Sequence, residues 1–156
     1  MNTYLILKTL HIVSSVFLVG TGFGTAFYLF FANRSGSVES IAVVSRLVVR
    51  ADWWFTTPAV IIQPVTGLLL MELGGWPPTA PWLLVSFALF ALAGICWLPV
   101  VWLQLRMART ASAASAAGGA LPHPYWADAR RWERLGYPAF AAMAAVYFLM
   151  VVKPGF

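Results

Sequence analysis

Four separate runs of apolar residues restrict this chain to one class of fold. They cover roughly residues 4–31, 53–73, 82–105 and 136–152. A helix needs about 20 apolar residues, within a range of about 17–25, to cross a bilayer. Charged residues make up only 10% of the chain, against about 25% in soluble domains. The sequence therefore predicts an all-α polytopic membrane protein, a four-transmembrane-helix bundle.

The positions of the basic residues predict how the bundle is oriented. All eight arginines lie in the connections after the first and third runs, and the terminal regions contribute only Lys8 and Lys153. Cytoplasmic loops carry an excess of Lys and Arg, so both termini are expected outside, on the periplasmic side of a bacterial inner (plasma) membrane. Because the net charge of +5 is concentrated in two loops, it indicates a lipid bilayer as the partner and no nucleic acid.

A single transmembrane domain, residues 1–156, accounts for this length. Ser37 is a suitable helix N-cap and apolar residues recur at helical spacing after it, so the second helix is expected to begin near residue 38, in the cytoplasm. Aromatic and charged residues are mixed over residues 125–135, which predicts an interfacial segment before the fourth run. The first run is too long for the apolar region of a cleavable signal peptide, so we expect it to be retained.

His11 is the residue of the first run that points most directly to a function. An ionisable group at membrane depth is costly and by default marks a functional site. Lys8, His11 and Ser15 share one face of the helix. Imidazole inside a helical bundle is a common ligand of b-type haem. His11 is therefore a candidate ligand of a haem iron, with Lys8 near the haem propionates. The chain has no second histidine in the membrane, so a second axial ligand would be absent, be Met71 or another side chain, or come from a second protomer.

The alternative is that His11 is structural and hydrogen-bonds across helices to Ser15, Gln63 or Tyr147. Gln63 lies in the middle of the second run and needs a hydrogen-bond partner there. That partner is either a neighbouring helix or a bound cofactor. Tyr147 is expected near the depth of His11, so it is a further candidate for the same polar face.

Two other residues have simpler interpretations. Glu72 lies at the outer end of the second run, at a height similar to that of Lys8, so we expect a structural ion pair between them. Cys96 is the only cysteine, which excludes an internal disulfide and a cysteine-based zinc site within one chain. It has no nearby base and is expected to be a small buried apolar residue.

Several classes of function lack their required residues. The sequence has no glycine-rich phosphate loop after a strand, no H-E-x-x-H motif and no Ser-His-Asp set at one membrane depth. It also lacks paired buried carboxylates and an internal repeat, which argues against a proton-coupled transporter built from inverted repeats. These absences disfavour hydrolases and transporters.

Several sequence runs resemble an uncharacterised bacterial family of integral membrane proteins, domain of unknown function 2269. They are 7–13 (LKTLHIV), 20–24 (GTGFG), 54–60 (WFTTPAV), 63–67 (QPVTG), 97–104 (WLPVVWLQ) and the closing 132–154. More remotely, the opening is similar to that of HemJ-type protoporphyrinogen oxidases and copper-resistance D membrane proteins. In the oxidase group a first-helix histidine is thought to contact haem, and the resemblance maps this role onto His11. The other functional residues of that group have no counterpart here, so oxidase activity is not implied.

Two functional hypotheses follow. The first is a membrane protein that binds b-type haem or is associated with redox chemistry, as an oxidoreductase or an electron-transfer component. The second is a non-catalytic membrane subunit that packs in a homodimer or a larger membrane complex. Gly20 and Gly24 support the second, because G-x-x-x-G spacing lets membrane helices approach closely.

Overall fold

The computed structural model describes residues 2–154, and these form four long helices and no strand. Helix α1 spans Thr3–Arg34, α2 spans Val38–Leu73, α3 spans Pro81–Ala116 and α4 spans His123–Val152. All four are long and apolar enough to cross a membrane. The predicted all-helical fold with four candidate membrane spans is therefore confirmed.

The helices extend well beyond the apolar runs. Helix α2 begins at Val38 because the Ser37 hydroxyl accepts a hydrogen bond from the backbone N–H of Ser40 at 3.1 Å. Helix α3 continues through an alanine-rich stretch to Ala116, since alanine has the highest helix propensity. Helix α4 begins at His123, so residues 125–135 are its first turns and not a separate segment.

Each of the first two helices contains one wider, π-helical turn. These turns span Val16–Gly20 in α1 and Asp52–Thr56 in α2. Pro58 follows the second turn. It has no backbone N–H to donate, and in a regular α-helix its ring would clash with the carbonyl group four residues earlier. The two π-helical turns pack together, with the Phe17 and Phe55 rings stacked at 5.6 Å between centroids.

The two ends of the bundle differ in charge and in packing. The arginine end, which carries Arg34, Arg46 and Arg106, contains the main apolar core. That core is formed by Leu29, Ala32, Ile41, Ala42, Val48, Val100, Leu103, Met107, Ala111, Tyr125, Ala129 and Trp132. Tyr125 donates a 2.6 Å hydrogen bond to Asn33 inside this core. The four helices are therefore packed together most closely at this end.

The lysine end, which carries Lys8 and Lys153, is more open. There α1 packs on α2 and α3 packs on α4, while the backbones of the two pairs stand apart. Away from the lysine end, Phe23, Phe27 and Phe31 in the middle and last turns of α1 are more than half exposed, at 62%, 51% and 54%. Such an apolar surface suits contact with lipid.

Candidate functional site

A cavity of about 440 Å³ lies in the lysine half, between the α1–α2 pair and the α3–α4 pair. We call it the histidine cavity. It is lined by residues of all four helices, and its polar lining includes His11, Gln63, Ser86 and Tyr147. Its volume falls within the range of about 300–1,000 Å³ that is usual for small-molecule sites. Four of the predicted site residues meet here: Lys8, His11, Gln63 and Tyr147.

Both ring nitrogens of His11 are hydrogen-bonded to α2. The Nδ1 atom lies 2.8 Å from the Thr66 hydroxyl oxygen, and the Nε2 atom lies 3.0 Å from the side-chain nitrogen of Gln63. The side-chain oxygen of Gln63 accepts a hydrogen bond from the Ser14 hydroxyl. Gln63 is therefore the cross-helix partner of His11, one of the three that the structural alternative offered.

The contacts of His11 are compatible with a proton on either ring nitrogen. If the Thr66 hydroxyl donates to the carbonyl oxygen of Ile62, which lies 2.7 Å away, it accepts from Nδ1–H of His11. If the Ser14 hydroxyl donates to the side-chain oxygen of Gln63, the Gln63 NH₂ group donates to Nε2. In this arrangement the proton is on Nδ1 and the lone pair of Nε2 faces Gln63.

Tyr147 connects the two helix pairs on the other side of the cavity. Its hydroxyl donates a 3.0 Å hydrogen bond to the carbonyl oxygen of Ser15. This carbonyl belongs to the last turn before the π-helical turn Val16–Gly20. The bond places the Tyr147 hydroxyl one turn beyond His11 on α1, with a backbone carbonyl and not the His11 ring as its partner.

Two lysines and two tryptophans lie at the outer part of the cavity. Lys153 ends α4 in a left-handed conformation with a φ of 47°, and its ammonium lies 4.6 Å from the centre of the Trp76 ring. Trp76 and Trp82 meet edge to face at 5.4 Å. Lys8 lines the same cavity. Two positive charges therefore flank the opening of a mainly apolar cavity.

The predicted ion pair between Lys8 and Glu72 is wrong. In residues 2–154 the ion pairs are Arg34–Glu133 and Arg106–Asp128, and both lie at the arginine end. Glu72 is exposed on the last turn of α2 and does not line the histidine cavity. Lys8 lies at the cavity, so the two side chains are directed to different surroundings.

A bare metal ion has no suitable site in the described part of the chain. No group of three or more His, Cys, Asp or Glu side chains in residues 2–154 can hold one. His11 alone supplies one ligand, whereas protein sites for zinc and similar ions use three or four. A metal bound at His11 therefore has to bring most of its own ligands, as a porphyrin does.

A family described as "Predicted integral membrane protein (DUF2269)" matches residues 5–154. The chain belongs to this family. No curated protein matches the DUF2269 chain significantly, and no solved structure does. The remoter similarity to HemJ-type oxidases and copper-resistance D proteins is not shown by these comparisons.

Sequence reasoning missed three polar residues of the DUF2269 chain. Ser14 and Thr66 complete the hydrogen-bond network of His11, and each lies three residues after a residue that was singled out, on the same helix face. That i, i+3 spacing could have identified them. Asp52 is buried on α2 although it stands at the edge of an apolar run, and nothing in its local sequence predicts this burial.

Proposed function

We propose that this membrane protein binds haem b in the histidine cavity, where His11 would be the side chain that holds the iron. The observation that carries the proposal is the contact of 2.8 Å between Nδ1 of His11 and the Thr66 hydroxyl oxygen. Metal-ligating histidines usually donate their second N–H to a fixed acceptor, which orients the ring. With the proton on Nδ1, His11 donates to Thr66 and Nε2 is unprotonated, which is the state that iron ligation requires.

The Gln63 amide would compete with the iron for Nε2 of His11. The Gln63 amide donates to Nε2, so it has to turn away before Nε2 can bind a metal. A typical hydrogen bond contributes about 0.5–1.5 kcal/mol net, which is a small cost beside a metal–ligand bond. The residues present therefore fit a single-histidine haem site.

The rest of the cavity matches the chemistry of an anionic porphyrin. Lys8 and Lys153 at the opening are suited to pair with the two propionates, and the apolar walls are suited to pack against the porphyrin ring. Met71 lines the same cavity, and its thioether is a known partner of histidine on haem iron. A bound haem would supply one-electron redox chemistry there. An oxidoreductase or electron-transfer role is thus part of the proposal, without an assigned substrate.

The first test is an absorption spectrum. Protein purified in detergent from cells supplied with a haem precursor is expected to show a Soret band that shifts on reduction with dithionite. His11→Ala is expected to lose this band. The matched control is His123→Ala, because His123 is the other histidine and is exposed at the start of α4. A monodisperse, colourless wild-type protein would overturn the proposal.

We also propose that the arginine end faces the cytoplasm of a bacterial cell and that both termini are periplasmic. The support is the distribution of basic residues, with eight arginines at one end and Lys8 and Lys153 at the other. In this orientation the histidine cavity opens towards the periplasmic surface of the inner membrane.

A second candidate function is assembly with another membrane protein, a second copy being the simplest case. A Cβ atom added at Gly20 or Gly24 meets nothing within 4 Å, so neither glycine is used for packing inside the chain. Their G-x-x-x-G spacing suits a close helix contact with a partner. Gly20→Leu is expected to dissociate an oligomer detected by light scattering, whereas Ala91→Leu on the exposed side of α3 is expected to leave it intact. A monomeric wild-type protein would exclude self-assembly.

A further inference from the structure

A second cavity, of about 400 Å³, lies in the half of the bundle nearer the arginine end. Phe90 and Met143 line both cavities, so their side chains form the partition between them. Phe23 on α1 and Tyr137 on α4 line the second cavity and are 62% and 67% exposed. The cavity is therefore a cleft that opens on the lipid-facing surface. We call it the aspartate cleft.

Asp52 is the buried acid in the wall of this cleft. It is only 5% exposed and lies in the π-helical turn of α2, a type of turn that is frequent at functional sites. The Thr56 hydroxyl donates a 2.8 Å hydrogen bond to the Asp52 carboxylate. Gln104 on α3 is also buried in the same wall. The Thr56 hydroxyl is uncharged, so it satisfies a carboxylate oxygen without supplying a positive charge.

Two other acids at this end of the bundle, Glu133 and Asp128, have cationic partners. Glu133 lines the cleft and pairs with Arg34 at 3.1 Å, and Asp128 pairs with Arg106 at 2.9 Å. In residues 2–154 no Lys, Arg or His nitrogen lies within 4.0 Å of the Asp52 carboxylate. A buried carboxyl without a cationic partner is costly to ionise. The cleft therefore has one acidic group that a ligand with one positive charge would stabilise in its ionised form.

The walls of the cleft are rich in aromatic rings. They are formed in part by Phe30, Phe90, Trp97, Trp132 and Phe140. The faces of aromatic rings attract organic cations, most strongly where water is excluded. Arg34 already makes such a contact, with its guanidinium 3.3 Å from the centre of the Phe30 ring. An acid surrounded by aromatic rings is a suitable environment for a cation with an apolar body.

We propose that the aspartate cleft binds a lipophilic organic cation, a singly charged ammonium or phosphonium compound with an apolar body, with Asp52 as its counter-ion. The lipid-facing opening between α1 and α4 admits a compound that partitions into the membrane. This site is separate from the histidine cavity and does not depend on haem. An acyl chain of a lipid is the competing occupant, and it makes no favourable electrostatic contact with the carboxylate.

The test measures binding of radiolabelled tetraphenylphosphonium to the full chain in lipid nanodiscs, by equilibrium dialysis. Wild-type protein is expected to bind one equivalent saturably. Asp52→Asn is expected to weaken binding at least about tenfold. Gly94→Leu is expected to abolish it, because Gly94 lines the cleft and a Cβ atom there meets nothing within 4 Å. The first carbon of the new side chain therefore has room, and a leucine there would take up part of the cleft volume.

Three controls separate charge recognition from apolar partitioning. Ala91→Leu adds the same bulk to an exposed position of α3 outside both cavities and is expected to leave binding unchanged. Glu72→Gln removes an exposed acid at the opposite end and is also expected to have no effect. Uncharged triphenylphosphine oxide is expected to bind wild type and Asp52→Asn equally.

Two results would overturn the proposal. One is equal affinity of wild type and Asp52→Asn for tetraphenylphosphonium, and the other is no saturable binding by folded wild-type protein. If Asp52→Asn does not fold, Gly94→Leu decides alone, and unchanged binding by that variant overturns the site. His11→Ala is expected to keep full tetraphenylphosphonium binding, so failure of the haem proposal would leave this result unaffected.

Discussion

The imidazole of His11 lies against the backbone of Gly67: a Cβ atom at position 67 would lie only 3.3 Å from the Cε1 atom of His11. Such an approach is closer than most carbon contacts in proteins, so any larger residue at 67 has to push the ring away. Gly67 therefore allows the imidazole to reach the Thr66 hydroxyl and the Gln63 amide on the same helix. The position of the His11 ring therefore depends on the absence of a side chain at Gly67 as well as on its hydrogen-bond partners.

Gly67→Ala is accordingly expected to destabilise the protein although alanine favours helices. Overpacking of an interior typically costs about 1–3 kcal/mol, and displacement of His11 adds the weakening of its two hydrogen bonds. The free energy of unfolding can be measured by SDS titration in mixed micelles. Gly136→Ala is the control, because a Cβ atom there meets nothing within 4 Å. Equal stability of Gly67→Ala and the control would contradict the close packing.

Thr66→Val tests the protonation state of His11. It keeps the side-chain shape but removes the acceptor of Nδ1–H, and an unsatisfied buried group costs about 1–3 kcal/mol. Thr66→Ser restores the hydroxyl and is expected to recover most of this loss. Nitrogen NMR of labelled His11 should show the Nδ1–H tautomer in wild type. An Nε2–H signal in wild type would contradict the assignment.

The two ion pairs at the arginine end are expected to differ in strength. The Asp128 side chain is 6% exposed and its Arg106 partner 42%, against 22% for Glu133 and 49% for Arg34. Asp128→Asn is expected to cost about 2 kcal/mol, less than for a fully buried pair because Arg106 is partly solvated. Glu133→Gln is expected to cost about 0–1 kcal/mol. SDS unfolding compares them, and equal losses would contradict this ranking.

The orientation can be tested by cysteine labelling. Cys96 is buried, so Cys96→Ala provides a background without an accessible thiol. Ala117→Cys, between α3 and α4 at the arginine end, is expected to react only after the cytoplasmic side is opened. Thr79→Cys, between α2 and α3 at the other end, is expected to react with an impermeant maleimide on intact cells whose outer membrane has been permeabilised. The reverse pattern would place the termini in the cytoplasm.

The four helices could be predicted because long apolar runs have almost no alternative structure in a membrane. The contact between His11 and Gln63 was one of the predicted alternatives, since both are polar at membrane depth. The ion pair between Lys8 and Glu72 was wrongly predicted, because similar height along two helices does not determine whether their side chains face each other. Asp52 was missed for a related reason: its burial comes from the packing of neighbouring helices, which a single sequence does not display.

A haem titration of the purified apoprotein tests the central claim most directly. The account predicts that His11→Ala weakens haem binding at least about 100-fold, equivalent to about 2.7 kcal/mol. Gln63→Ala is predicted to bind haem at least as tightly as wild type and by up to about tenfold more tightly, because Nε2 no longer has a hydrogen bond to break. Equal haem affinity of wild type and His11→Ala would contradict the account and leave His11 as a structural link between α1 and α2.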